Sequence, residues 1–217
     1  MKNGLFITGT STDIGKTLVA ALLLSAAHSQ NLPAYYFKPV QTGQDSDCAT
    51  VSCLTGLQEP IIKPVFSYAS PQAPYRAALA EQKPIQLDHI LAHWQQLTSG
   101  YYLVEGAGGL LVPLTQNHTI RDLAFALKLP LIIVASTQLG TMNHTLLTLE
   151  AAANAKVPVK GLILSGSKDP ELATALQPFI SVPILAAIPD LTTAQKQNFQ
   201  QTAKQIFPFQ LLQKILI

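Results

Sequence analysis

Charge is scarce in this 217-residue chain: 14 Lys and Arg stand against 12 Asp and Glu, for a net charge of +2. No run of basic residues gathers into a stripe, so no electrostatic grip on a nucleic acid is expected. Cysteine is scarcer still. Cys48 and Cys53 stand without a Cys or His cluster beside them, short of the ligand set of a structural zinc site, and they demand no oxidising compartment. Long apolar runs are also missing. The stretch Leu18–Ala27 falls well below the roughly 20 residues that span a bilayer. A polar, glycine-bearing segment precedes it and no small-residue cleavage pattern follows, so it does not read as a signal peptide. These absences predict a soluble, cytoplasmic protein with neither membrane nor nucleic-acid partners.

What is abundant is apolar residue content, at 48%. A chain of this length can bury roughly 70% of the surface its unfolded form exposes, and one domain over residues 1–217 is expected. Short, nearly continuous apolar runs predict strands at Leu5–Thr8, Ala34–Val40, Tyr101–Glu105, Leu131–Ser136, Val159–Ser165 and Ile184–Ile188. Helices are predicted at Lys16–Ser29, Leu87–Leu97, Ile120–Leu127, Met142–Ala155, Glu171–Phe179 and Thr192–Ile206. Thr119 with Asp122 forms a variant capping box, while Pro130, Pro158 and Pro183 each precede an apolar run where a helix has already ended. The region Gly43–Pro84 has weak periodicity and several prolines, and predicts loops and short helices over the sheet edge. Alternating strands and helices predict an α/β fold with a doubly wound, mostly parallel sheet and helices on both faces. Ligands bind such sheets at the carboxyl ends of the strands.

The segment Gly9-Thr10-Ser11-Thr12-Asp13-Ile14-Gly15-Lys16-Thr17 follows the first strand and opens the first helix. That context suits a phosphate-binding loop, because backbone N–H groups and a helix N-terminus converge there on an anion. Gly9 and Gly15 let the chain turn close to the phosphates. Lys16 would neutralise β- and γ-phosphate charge and the Thr17 hydroxyl would ligate Mg²⁺. Five residues separate the two glycines, one more than in the usual loop. Glu105 ends a core strand, where its carboxylate can also reach the cation, and Gly106, Ala107 and Gly108 after it leave room for a nucleotide.

The lengthened loop resembles that of the dethiobiotin synthetase family. Lys38-Pro39-Val40-Gln41-Thr42-Gly43 and Val104-Glu105-Gly106-Ala107-Gly108-Gly109 resemble two further motifs of that family, in the same order. The resemblance implies a P-loop synthetase that closes a cyclic urea on 7,8-diaminopelargonate from CO₂ and ATP with Mg²⁺. An amine captures CO₂ as a carbamate, the γ-phosphoryl group transfers to it, and the second amine displaces phosphate. It further implies Lys38, Lys16 and Thr12 in catalysis, with Thr42 and Thr12 on the substrate. Thr17, Asp47 and Glu105 would hold the metal, with Asp45 the competing register for Asp47. Nucleotide contacts are implied for Gly9, Asp13, Ile14, Gly15, Lys16, Thr17 and Leu18 on the loop side. Asp47, Glu105, Gly106, Ala107 and Gly108 join them from the facing strands, and Ser165, Gly166, Pro189 and Leu191 from the far end. Thr141 and Asn143, in Leu139-Gly140-Thr141-Met142-Asn143-His144, would hold the diamine's tail carboxylate across a homodimer interface; capping of the helix by Thr141 is the simpler alternative.

Some positions depart from the family. Ser165 stands where many relatives carry an Asn that reads the adenine edge; a hydroxyl cannot present an amide's donor–acceptor pair, so relaxed base selectivity is expected. Asp13 stands where Glu is frequent, and Gln138 where some relatives carry Lys. The chief alternative is an ATPase switch of the partitioning or cell-division class, which shares this fold. Those proteins place an extra lysine early in the loop, where this chain has Thr10 and Ser11.

Overall fold

The computed structural model describes residues 2–166, 169 and 171–216. Nine strands are described: β1 (Lys2–Gly9), β2 (Ala34–Phe37), β3 (Val40–Thr42), β4 (Ile61–Ile62), β5 (Phe66–Tyr68), β6 (Gly100–Gly109), β7 (Leu131–Ser136), β8 (Val159–Ser165) and β9 (Ile184–Ile188). The described α-helices are α1 (Lys16–Ser29), α2 (Asp47–Thr55), α3 (Pro74–Ala80), α4 (Leu87–Gln96), α5 (Ile120–Leu127), α6 (Thr141–Asn154), α7 (Leu172–Leu176), α8 (Thr193–Gln197), α9 (Phe199–Ile206) and α10 (Phe209–Leu216). Seven strands form one sheet in the order β4-β2-β6-β1-β7-β8-β9, and their pairings are parallel.

Helices on both faces explain why the strands read as unbroken apolar runs. Successive side chains of a strand point to opposite faces, and here each face has its own core. Leu5 and Ile7 of β1, Leu103 of β6, and Ile132 and Val134 of β7 pack with α1 and the C-terminal helices. Phe6, Tyr102, Val104, Leu131 and Ile133 pack on the other side, with α3, α4 and α5. After β1 the chain crosses to β2 on one side, and after β6 it crosses β1 to reach β7 on the other. The carboxyl end of β1 is therefore the point where the connections diverge, and a crevice opens there.

Three predicted elements differ from those observed. The run Ala34–Val40 is broken: β2 ends at Phe37, and β3 leaves the main sheet to pair with β5. The predicted helix Glu171–Phe179 is a short α-helix followed by a 3₁₀ turn at Gln177–Phe179. The predicted helix Thr192–Ile206 is interrupted at Asn198, whose side-chain amide donates to the Ala194 carbonyl at 3.1 Å. The region Gly43–Pro84 contains α2 and α3 but also β4 and β5, with β4 extending the main sheet. The capping variant at α5 uses Asp122, which accepts from the Thr119 amide at 2.7 Å and the Thr119 hydroxyl at 2.8 Å.

Candidate active site

β1 ends in the buried Gly9, and the loop beyond it leads straight into α1. Gly15 caps that helix with φ of +94°, a conformation that disfavours any side chain, and a Cβ there would collide with the Ser165 hydroxyl oxygen. The first-turn N–H groups of α1 have no intrahelical partners and point out of the helix start, as an anion site requires. Lys16 folds back over the loop and donates to the Ser11 carbonyl at 3.0 Å. Asp13 holds φ of 55° within the loop.

A cleft of ≈ 590 Å³ opens beside this loop. It brings together Thr12, Asp13, Ile14, Gly15, Lys16, Thr17, Lys38, Thr42, Asp47, Glu105, Ala107 and Gly108. At its floor the side chains bind one another. The Thr17 hydroxyl lies 3.0 Å from an Asp47 oxygen and 3.0 Å from Glu105 Oε1. The Lys38 ammonium lies 2.6 Å from Asp47 Oδ2 and 2.9 Å from Glu105 Oε1, and it also donates to the Gly106 carbonyl at 3.0 Å. Gly106 must lack a side chain, because a Cβ would sit 2.9 Å from both Ile120 and Phe6. Asp45 and Asp47 both line the cleft; the Asp47 carboxylate enters the cluster, while Asp45 is exposed and offers its backbone carbonyl to Gln41.

Two residues of this cluster were not anticipated from the sequence. The Tyr36 hydroxyl donates to Glu105 Oε2 at 2.8 Å. Gln41 donates to the Asp45 carbonyl at 2.9 Å and accepts from the Asp47 amide at 3.1 Å, which fixes the start of α2. The one available signal for Tyr36 is its place two residues before Lys38.

The charges are strongly coupled. Burial alone would lower the Lys38 pKa, but Glu105 and Asp47 outweigh it and hold the ammonium above its ordinary value. Burial pulls Lys16 below its ordinary value; Glu105 opposes this and the neighbouring Lys38 adds to it. Burial, then the Glu105 charge, pushes the Tyr36 phenol well above its usual range, so it stays protonated and donates. Thr17, Asp47 and Glu105 present hydroxyl and carboxylate oxygens toward one point, a donor set of the hard-oxygen kind that suits Mg²⁺.

Ser165 and Gly166 lie in a neighbouring cavity of ≈ 610 Å³, which also takes in Leu18, Ser136, Gln138 and Asp190. Pro189 and Leu191 flank Asp190 without lining that cavity, and Leu191 packs against the core on the α1 side. Thr141 and Asn143 are not brought to the cleft of their own chain. Thr141 is buried at the first turn of α6, where its hydroxyl donates to the Ser136 carbonyl at 2.5 Å, and Asn143 faces solvent. Cys48 and Cys53 are free thiols; burial, followed by the Asp47 charge, pushes Cys48 up to about 11. Among the described residues, no group of three or more His, Cys, Asp and Glu gathers that could hold a metal.

A parallel sheet with a phosphate-binding loop at the diverging strand, and a lysine–carboxylate–threonine cluster beneath it, defines a P-loop nucleotide-binding protein. Solved structures of that fold resemble it at low identity. The septum site-determining protein MinD from Pyrococcus horikoshii, complexed with Mg-ADP, aligns with a TM-score of 0.59 and 15% identity, over 100% of this chain and 95% of its own. A ParA family ATPase from Chlorobium tepidum aligns with a TM-score of 0.55 and 15% identity, over 100% and 98%. The family model described as "AAA domain" matches residues 3–198. Sequence relatives are far more similar. The ATP-dependent dethiobiotin synthetase BioD of Bacillus velezensis is 36% identical over 90% of both chains, and that of Bacillus subtilis (strain 168) is 34% identical over 96% of both. The biotin biosynthesis bifunctional protein BioCD of Bordetella avium is 40% identical over 94% of this chain, which spans 43% of that longer protein. The chain belongs to the dethiobiotin synthetase family.

Proposed function

We propose that this chain is an ATP-dependent dethiobiotin synthetase acting in biotin biosynthesis, with residues 1–217 forming one synthetase domain. The observation that carries the reading is the convergence of Thr17, Lys38, Asp47 and Glu105 within 3.0 Å of their partners under the loop. An anionic carbamate must approach a polyanionic triphosphate, so catalysis rests on positive charge and on holding the reactants in line. Lys16 and the α1 N-terminus receive the phosphates. Thr12 and Thr42, both lining the cleft, orient the diamine. Thr17, Asp47 and Glu105 would hold Mg²⁺, which would supply charge neutralisation to the phosphates.

One amine of 7,8-diaminopelargonate adds to CO₂ and releases a proton, which gives the carbamate. A carbamate oxygen attacks the γ-phosphorus and ADP departs with the electrons of the broken P–O bond. The second amine then attacks the carbonyl carbon of the mixed anhydride, loses its proton, and expels phosphate as the ring closes. Lys38 faces the carbamate and the transferring phosphoryl group, and stabilises charge on both. The exposed Asn143 and the N-terminus of α6 support a homodimer in which one copy holds the diamine's tail carboxylate for the other. Among the described residues no helix is long and apolar enough to cross a membrane.

Incubation with diaminopelargonate, bicarbonate, Mg²⁺ and ATP should yield dethiobiotin and ADP in equal amounts. ADP released at the same rate without the diamine, and no dethiobiotin, would replace this reading with that of an ATPase switch.

A further inference from the structure

Tyr36 sits on β2 in register with Leu103 of β6, and Glu105 lies two residues further along the same face. Side chains in a strand lean along its direction, which lets the phenol cross diagonally to the carboxylate. Tyr36 is fully buried within the apolar core on the α1 side, which also holds Leu22, Leu103 and Val51. A phenylalanine would fill that space without bringing a polar atom into it. The hydroxyl is nonetheless present and bonded, at 2.8 Å from Glu105 Oε2.

Its partner oxygen is the informative part. Glu105 Oε1 faces the Thr17 hydroxyl and the Lys38 ammonium, whereas Oε2 accepts from Tyr36. The two oxygens thus have separate duties, one turned to the cation site and one tied to the core. We propose that Tyr36 is a positioning residue that holds Glu105 as a one-oxygen ligand, presenting Oε1 to the Mg²⁺ site beside Thr17 and Asp47. This rests on the cation site assigned above. Partners behind a metal ligand commonly govern affinity by about 10–100-fold. Without the hydroxyl, Oε2 would be buried and short of its donor, and the carboxylate would be free to rotate out of line.

The test uses Tyr36→Phe and Mn²⁺ as the cation, titrated by electron paramagnetic resonance in the presence of ADP. The Mn²⁺ dissociation constant should rise about tenfold, while ADP affinity in chelator stays within about twofold. In turnover assays, half-saturation by Mg²⁺ should rise similarly and kcat at saturating Mg²⁺ should largely recover. A thermal melt without metal reports any general loss of packing separately. In a Glu105→Ala background the same substitution should change Mn²⁺ affinity by less than about twofold. An unchanged Mn²⁺ dissociation constant in Tyr36→Phe overturns the positioning role, even if the melting temperature falls. An equal loss with and without Glu105 overturns it too. A wild-type protein that binds no Mn²⁺ with ADP overturns the cation site itself.

Discussion

At the phosphate end of the cleft, charged and hydroxyl side chains hold one another: Thr17, Lys38, Asp47 and Glu105 are linked at 2.6–3.0 Å, and Tyr36 anchors the group from below. At the far end, Ser136, Ser165 and Gly166 line the neighbouring cavity with short side chains and backbone. The first region is a network in which each group fixes the charge and direction of the next. The second also takes in longer side chains such as Leu18, Gln138 and Asp190, but no ion pair links its lining among the described residues. A change at the phosphate end therefore propagates through several partners, whereas one at the far end reaches the loop chiefly where Ser165 lies against Gly15.

The sharpest way to break this contrast is Lys38→Ala. It removes the cation that Asp47 and Glu105 share, and kcat should fall roughly 10²–10³-fold with ATP affinity changed far less; an unchanged kcat in a coupled ADP-release assay would take Lys38 out of the chemistry. A smaller effect is expected from Ser165→Asn. Adding an amide should favour ATP over GTP and CTP by roughly 2–10-fold, the range of one neutral hydrogen bond. Competition assays read this directly, and a wild type already strict for ATP would refute the expected relaxed selectivity.

The smallest effect lies away from the cleft. Asp122→Ala should destabilise the start of α5 by about 0.5–1 kcal/mol, measured by denaturant titration. Burial raises the Asp122 pKa, but the Thr119 amide and hydroxyl outweigh it and hold the carboxyl below its ordinary 3.8. A depressed carboxyl stabilises the fold above its unfolded value and loses that contribution as pH falls through the native one. The difference between variant and wild type should therefore shrink at acid pH. A gap that stays constant with pH would mean that the Asp122 charge is not what stabilises the helix start.

The main sheet was largely legible in the sequence because both of its faces are covered: Leu131 to Ala135 are all fully buried, and such a run has few alternatives. The same reading overran at Phe37. Lys38 and Pro39 follow, a proline cannot donate to a ladder, and β3 pairs instead with the distant Phe66–Tyr68. At Asn198 the backbone leaves the helical conformation, φ −107° and ψ 44°, which periodicity does not record. Helix α10 lies beyond the last predicted element, and it buries Leu212 and Ile215 in the α1-side core. In the site, the loop was readable from local spacing. Tyr36 and Gln41 were not, because each acts through a partner that folding supplies: Glu105 lies 69 positions from Tyr36, and Gln41 matters only once α2 starts at Asp47.

The two ends meet at one point, where the Ser165 hydroxyl occupies the space a Cβ on Gly15 would need. Because φ of +94° already favours glycine at position 15, that neighbour has little freedom to vary, whatever residue 165 becomes. In evolutionary terms the loop is a fixed border. Descendants of this sequence that change residue 165 must fit the new side chain against Gly15, so the loop sets the limits on its neighbour.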